Sequence, residues 1–246
     1  MNAPVSFNDS RTQAVNAMFG NIVDKYDLLN HALSFGIDYY WRSKLVHSVR
    51  SYLHPQNSND KHVILDIAAG TLDVSIALLK HSSDAKIISL DYCKAMLSHG
   101  IKKLSKVQNR NCIIPINADA RKLPLPDESV DAITIAFGIR NIEPRPVAFK
   151  EMFRVLKKGG RLSILEFGSG KSKIWFGLYN FYLNYLLPVI GKIISKNPKA
   201  YRYLAQTINT FPKSDELADE IRGCGFSSVS YISLTGGISM LHIADK

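Results

Sequence analysis

Between residues 62 and 167 the chain alternates short β-branched runs with helical stretches, and this switching of period constrains the fold more than any other feature. Strand-like runs lie at 62–67, 86–90, 112–116, 130–137 and 161–167, with helical stretches at 74–81, 96–105 and 146–156. Strands separated by helices do not close as hairpins; they align in parallel, and the crossovers cover the sheet. Two further runs, 228–233 and 238–244, follow one another with no helix between them and should form an antiparallel edge. The expectation is an α/β fold with a doubly wound, mostly parallel seven-stranded sheet.

The flanks are helical. Residues 11–26 place Val15, Met18, Phe19, Ile22 and Val23 at three- and four-residue intervals, which makes one apolar face of an N-terminal helical cap. The loosest stretch, 54–61, rich in Asn and Ser, separates this cap from the alternating region. Behind the alternating region, helical segments at 173–194, 199–208 and 214–222 precede the last two strands. Residues 174–194 approach the length of a membrane span but carry Asn180, Asn184, Pro188, Gly191 and Lys192, so they read as an aromatic-rich buried or interfacial helix.

Composition narrows the class. With 46% hydrophobic and 21% charged residues the chain reads as an ordinary soluble globular protein, and 31 basic against 21 acidic residues give a formal charge of +10. Such a surface attracts nucleic acid, anionic lipid or an acidic ligand. Cys93, Cys112 and Cys224 form an odd set with no CxxC pair, which supports neither a disulfide framework nor a cysteine zinc site and points to a reducing compartment. Residues 1–10 lack the order of a secretory signal, so a cytoplasmic protein is expected.

In doubly wound sheets, ligands sit at the carboxyl ends of the strands. The first strand runs out as Ile64-Leu65-Asp66-Ile67-Ala68-Ala69-Gly70-Thr71-Leu72-Asp73, a small-residue turn into a helix without the GxGxxG spacing of dinucleotide sites. Asp66 and Asp73 put negative charge where a pyrophosphate would need the opposite, which suits a phosphate-free cation such as S-adenosylmethionine. Asp91 ends the second strand 21 residues beyond Gly70, close to the interval at which a carboxylate meets ribose hydroxyls; helix capping is its alternative role. Asp119, in Asn117-Ala118-Asp119-Ala120 after the third strand, is either a surface turn or an acceptor for an adenine amino group, with Ala120 letting the ring lie close. Acids at the ends of three successive strands make the ligand reading the better one. Neither a metal cluster nor an ordered partner for His31 or His99 is apparent.

The motifs beyond these loops give the chain a close resemblance to a family. Tyr26-Asp27-Leu28-Leu29-Asn30, then Leu33-Ser34-Phe35-Gly36-Ile37 and Trp41, form an N-terminal signature; Phe137-Gly138-Ile139-Arg140-Asn141 follows the fourth strand. Arg154-Val155-Leu156-Lys157 with Gly159-Gly160 and Leu165-Glu166-Phe167, and Tyr201-Arg202-Tyr203-Leu204-Ala205, complete the set. Together they resemble the ubiquinone and menaquinone biosynthesis C-methyltransferases, within the class I S-adenosylmethionine-dependent methyltransferases of Rossmann-like fold. The resemblance implies S-adenosylmethionine at Thr71, Asp91, Asp119 and Ala120, with Asp66 and Gly70 supporting the loop. It implies methyl transfer to the ring of a prenylated quinol, either demethylmenaquinol or a benzoquinol, with Arg140 beside the transferred methyl. Tyr26, Asp27, Asn30, Asn141, Tyr201 and Tyr203 are the expected acceptor side. One domain, 1–246, is expected: a cap at 1–57, a cofactor-binding core at 62–167, a helical substrate cover at 173–210, and a C-terminal helix with edge strands at 214–246. Four positions depart from the family: Leu72 and Ala69 stand for glycines, Ala136 for a common serine and Asp38 for a histidine, and Leu72 is expected to narrow the cofactor loop.

Ring methylation needs an electron-rich carbon, so the expected chemistry is stabilisation of phenolate character by Arg140 or by a water it orients; a structural ion pair to an acid such as Glu143 is the competing role. The aromatic run Trp175, Phe176, Tyr179, Phe181, Tyr182 and Tyr185 either covers the prenylated ring or is plain core. Expected partners are the quinol, an anionic membrane touched peripherally at its inner face, and a homo-oligomer or quinone-synthesis complex. Nucleic acid is not expected, because no flipped-base motif or RNA-binding module accompanies the charge. A nicotinamide dehydrogenase lacks its GxGxxG, and a non-catalytic scaffold would bind partners without turnover.

Overall fold

A computed structural model describes residues 10–53, 61–82, 85–168 and 198–246. Strands β1 (Val63–Ile67), β2 (Lys86–Asp91), β3 (Ile113–Asn117), β4 (Val130–Ala136) and β5 (Leu156–Phe167) pair in parallel, and β7 (Ser239–Asp245) pairs antiparallel to both β5 and β6 (Ser228–Leu234). The resulting seven-stranded sheet has the order β3-β2-β1-β4-β5-β7-β6. The order reverses between β1 and β4, and the crevice at that reversal is where ligands of such sheets sit.

Helices α1 (Ser10–Leu33), α2 (Ile37–Arg50), α3 (Asp73–His81), α4 (Lys94–Leu104), α5 (Arg145–Val155), α6 (Pro198–Asn209) and α7 (Ser214–Arg222) surround it. Leu45 and Val49 of α2, Leu78 of α3 and Leu97 of α4 pack over Ile64, Ile87 and Ala132 on one face. Phe149 and Met152 of α5 with Leu217 and Ile221 of α7 pack over Leu65, Ile133 and Ile135 on the other. Neighbouring residues of one strand, Ile64 and Leu65, thus enter opposite cores, as the two-residue period of a strand requires.

The last two strands form the expected antiparallel edge: β7 lies inside, with Ser239 to His242 all buried, while β6 alternates exposed and half-buried residues and takes the border. Ser228, Ser230 and Ser233 tolerate water on the border strand, whereas Met240, Leu241 and Ala244 need cover. Strand β5 begins at Leu156, because Leu156 pairs with Val130 before the register skips to Ala132 and Arg161, leaving 157–160 as a bulge. Helix α1 runs on past Tyr26 to Leu33, and a turn at Gly36 (φ 76°) starts α2, so the N-terminal signature is a helix–turn–helix. The segment expected to be helical at 173–194, with its aromatic run, lies outside the described residues, as do 54–60. No described helix is long and apolar enough to cross a membrane.

Candidate functional site

The turns after β1, β2, β3 and β4 converge on one cleft, and α1 lies across it with Thr12, Val15, Asn16, Phe19 and Tyr26 facing in. Counted out to its mouth with the open solvent it encloses, the cleft spans about 820 Å³. Gly70, Asp91, Asp119, Ala120, Tyr26 and Asn141 all line it.

Asp91 is fixed from two sides. Its Oδ2 accepts the backbone N–H of Gly70 at 2.7 Å and its Oδ1 that of Cys93 at 2.7 Å, so the carboxylate ties the turn after β1 to the turn after β2. Each oxygen keeps a lone pair for a further donor. Burial raises its pKa, and the two amide bonds pull in the opposite direction. Capping and ligand binding were alternatives in the sequence; the geometry lets one carboxylate serve both.

Asp119 is gripped by Arg121, whose backbone N–H donates at 2.8 Å and whose Nε and Nη2 donate at 3.0 and 2.7 Å. Arg121 also reaches the carbonyl oxygen of Glu143 at 2.5 Å. The lining therefore carries Asp91, Asp119 and Arg121, and the guanidinium is already committed to Asp119. A site with this charge balance has no cation to spare for a phosphate and suits a positively charged, phosphate-free nucleoside. The floor is narrow as well: a Cβ on Gly138 would come within 2.3 Å of the Ala68 Cβ, so the turns after β1 and β4 touch only because residue 138 has no side chain.

Asp66 and Thr71 stand behind this wall rather than in it. Asp66 is 1% exposed; Ser75 Oγ donates to it at 2.6 Å and Thr134 Oγ1 at 2.8 Å, and burial pushes its pKa up to about 6. It braces the strand beneath the turn. Thr71 is also buried and gives its hydroxyl to Asp27, while Lys103 of α4 bonds Asp27 Oδ2 at 2.8 Å, Thr71 Oγ1 at 3.3 Å, and Asp73. Arg42 continues this chain of charges from Asp73 (3.0 Å) to Asp38 (3.1 Å), where His31 also bonds at 2.8 Å. Asp27 thus latches α1 to the turn, and Asp38, the departure from the family's histidine, is consumed in the same network.

Leu72 does not narrow the cleft. It adopts the left-handed conformation a glycine would take (φ 69°, ψ 20°) and turns its side chain, 0% exposed, into the core beneath α4. Gly100 makes the room: a Cβ there would meet Leu72 Cγ at 2.5 Å and the Thr71 carbonyl carbon at 2.9 Å. The missing glycine of the turn is offset by a glycine on the neighbouring helix.

On the acceptor side, Tyr26 bonds Asn30, and the Tyr203 hydroxyl donates to Asn141 Oδ1 at 3.0 Å. Burial pushes the Tyr26 phenol above its usual range, opposed by the charge of Arg140 nearby and by the Asn30 bond. Tyr201 lies on α6 with its side chain outside the described set. Arg140 is buried and pairs not with Glu143 but with Glu166 at the end of β5: Nη1 reaches Oε1 at 2.7 Å and also bonds the Phe137 carbonyl. Its guanidinium carbon stands 5.3 Å over the Phe167 ring, and its buried Nε–H has no partner among the described residues. Glu143 pairs with Arg145 instead.

Sequence reasoning missed Lys103, Arg121, Glu166 and the α1 roof. Glu166 had a signal, since it ends the strand beside β4 within a quoted motif; Lys103 had none, because only the folded chain brings α4 to Asp27. Among the described residues no cluster could hold a metal ion.

Comparison with known proteins agrees with this geometry. The model of the ubiE/COQ5 methyltransferase family matches residues 7–246. The ubiquinone/menaquinone biosynthesis C-methyltransferase UbiE of Rickettsia bellii is 39% identical over 245 residues, covering 97% of this chain and 94% of that one. A demethylmenaquinone methyltransferase of Bacteroides fragilis is 37% identical over 243 residues, covering 99% and 96%. Among solved structures, an S-adenosylmethionine-dependent methyltransferase of Thermotoga maritima superposes with a TM-score of 0.62 at 19% identity, covering 94% of this chain and 99% of that one. A Haemonchus contortus N-methyltransferase solved with S-adenosylhomocysteine gives 0.63 at 14%, covering 99% and 60%; at these identities the likeness is one of fold.

Proposed function

The chain belongs to the ubiE/COQ5 methyltransferase family, and from that membership we propose that it is an S-adenosylmethionine-dependent C-methyltransferase acting on the ring of a prenylated quinol in menaquinone or ubiquinone biosynthesis. The geometry that carries this reading is the Asp91 carboxylate, pinned by the amides of Gly70 and Cys93 in a cleft whose arginine is engaged by Asp119. Bound there, S-adenosylmethionine supplies an electrophilic methyl on a sulfonium.

The remaining work belongs to the chain. Asp91 accepts from the ribose hydroxyls, and Asp119 accepts from the adenine amino group while Ala120 leaves room for the ring. Asp66, Thr71 and Lys103 hold the turn from behind. Tyr26, Asn30, Asn141, Tyr203 and Tyr201 surround the acceptor ring, with Asp27 latching the helix that carries the first two. Arg140, held through Nη1 by Glu166 and the Phe137 carbonyl, has guanidinium donors outside these bonds for the acceptor oxygen or for a water that removes its proton. A fixed cation at a phenolic oxygen stabilises the phenolate as it forms and so raises electron density at the adjacent carbon. Residues 62–167 hold the cofactor within one domain, 1–246.

A prenylated acceptor lives in lipid, so the enzyme works from the cytoplasm, either touching the inner face of an anionic membrane or receiving the quinol within a homo-oligomer or quinone-synthesis complex. Incubation with S-adenosylmethionine and a short-chain demethylated quinol, kept reduced, tests the activity: a product heavier by one methyl on a ring carbon is expected. Cofactor binding by calorimetry with no methylated naphthoquinol or benzoquinol would leave the scaffold in its place.

A further inference from the structure

Away from the cleft, one face of the sheet exposes bases without acids. Helices α2, α3 and α4 lie on one side of the sheet and expose Lys44, Arg50, Lys80 and Lys102, yet among the described residues they expose no Asp or Glu. Their two acids, Asp38 and Asp73, are buried or half-buried and paired with Arg42 and Lys103. The stretch 92–118, which holds α4, contains no acidic residue at all. On the opposite side acids and bases mix: α7 exposes Asp215, Glu216 and Asp219 together with Arg222, and α5 exposes Lys150.

At one end of the basic side, where α1 turns into α2, large apolar side chains face solvent together. Leu28 is 62% exposed, Phe35 81%, Ile37 38%, Tyr39 60% and Tyr40 50%, while Ile101 and Ile232 are the other large apolar side chains exposed among the described residues. Scattered exposure is ordinary; five such residues within thirteen positions of one helix–turn–helix are a patch. Lys44 stands 5.4 Å over the Tyr40 ring, where the basic side meets the patch.

We propose that the α1–α2 turn and the basic side of α2, α3 and α4 form one docking surface for an anionic lipid bilayer. The turn inserts its apolar side chains at headgroup depth, and the lysines meet lipid phosphates. Tyrosines sit at the headgroup level because one end of the ring is apolar and the other is wet, and lysines beside an apolar face are the pattern of interfacial helices. Leu28 and Ile37 decide against nucleic acid as the occupant, since it offers aliphatic side chains nothing to enter. Resting on the lipid acceptor proposed above, the surface also has a use: Leu28 follows Tyr26 on the same helix by about 3 Å of rise, so docking brings the acceptor side of the cleft to the lipid.

The test is sedimentation with phosphatidylcholine vesicles, with and without phosphatidylglycerol, at low and high salt. Wild type should pellet with the anionic vesicles and release partly on adding salt, because charge attraction is screened and apolar insertion is not. Lys44→Gln/Lys80→Gln/Lys102→Gln should bind roughly 100-fold more weakly, about fivefold for each lysine, and lose most of the salt dependence. Phe35→Ser/Ile37→Ser should bind more weakly at both salt concentrations. All five positions are exposed, so both variants should keep the wild-type melting temperature and wild-type turnover of a soluble short-chain quinol. Absence of wild-type pelleting, variants that pellet like wild type, or retention on RNA without binding to vesicles would each overturn the surface. Wild type that turns over the soluble quinol but ignores vesicles removes only the docking surface; wild type that docks but turns over nothing removes only the activity.

Discussion

Gly100 is a position where one added methyl group should cost stability. In the interior of α4, Gly→Ala alone would stabilise by about 1 kcal/mol. Here the added Cβ would lie 2.5 Å from Leu72 Cγ, 3.0 Å from Leu72 Cδ1 and 2.9 Å from the Thr71 carbonyl carbon. None of these can give way cheaply, since Leu72 is held left-handed with its side chain fully buried and Thr71 is backbone bonded into the turn. Overpacking of this kind costs about 1–3 kcal/mol, so Gly100→Ala should be destabilising by up to about 2 kcal/mol after the helix gain. It should also weaken S-adenosylmethionine binding, because the strain falls on the turn that holds Gly70 against Asp91. Leu72→Gly loses the buried leucine, about 3–5 kcal/mol, and recovers about 1–2 kcal/mol of left-handed strain. In that background two of the three contacts vanish, and Gly100→Ala should become nearly neutral. Urea denaturation of the four proteins measures the coupling, expected at about 1 kcal/mol or more in favour of the pair. Additivity within about 0.5 kcal/mol would show that Gly100 does not make the room for Leu72.

Asp91→Ala should weaken S-adenosylmethionine binding by about 1.5–3 kcal/mol in a folded protein, measured by calorimetry, because a charged acceptor is removed; unchanged affinity would take Asp91 out of the site. Asp66 should leave a pH signature: its pKa is raised from 3.8 to about 6 by burial, so the neutral carboxyl's contribution is whole below pH 3.8 and is lost as pH rises through about 6. That is roughly 3 kcal/mol of the stability curve, and Asp66→Asn should flatten it over this window, whereas an unchanged slope would place the titration elsewhere. Arg140→Ala strands the buried Glu166 carboxylate at a cost of about 3–5 kcal/mol, while Arg140→Ala/Glu166→Ala should recover much of that stability. If Arg140 acts on the acceptor, single-turnover methylation by the double variant stays down by about 100- to 1,000-fold with normal cofactor binding; wild-type rates would make the arginine purely structural.

The parts of this protein that were legible in its sequence are those set by local period and chain order. Alternation at 62–167 announces parallel strands because hairpins cannot form across helices, and Gly70, Asp91 and Asp119 meet because successive strand ends lie side by side in such a sheet. Ile238, Met240, Leu241, Ile243 and Ala244, beside the serine-rich 228–233, fit an inner β7 and a border β6. What stayed hidden depends on side chains from distant segments. Arg140 finds Glu166 rather than Glu143 because β5 ends beside β4, while Glu143 has Arg145 two residues away. Lys103 meets Asp27 only after α1 has crossed α4.

Leu72 shows why a departure from a motif is weak evidence about activity. A glycine in a tight turn is required for its backbone conformation, and a leucine can hold that conformation when burial outweighs the strain. A buried leucine is worth about 1.5–3 kcal/mol in transfer alone, against about 1–2 kcal/mol for one left-handed residue. The balance closes only if the core has an empty volume of the right shape, and Gly100 leaves one directly under the turn. Gly70 stays bonded to Asp91, Ala68 still touches Gly138, and the leucine points away from the cleft. The turn keeps its glycine-like path because the adjoining helix has given up a side chain, so the sequence change at the motif and the retained shape of the site are two sides of one packing solution.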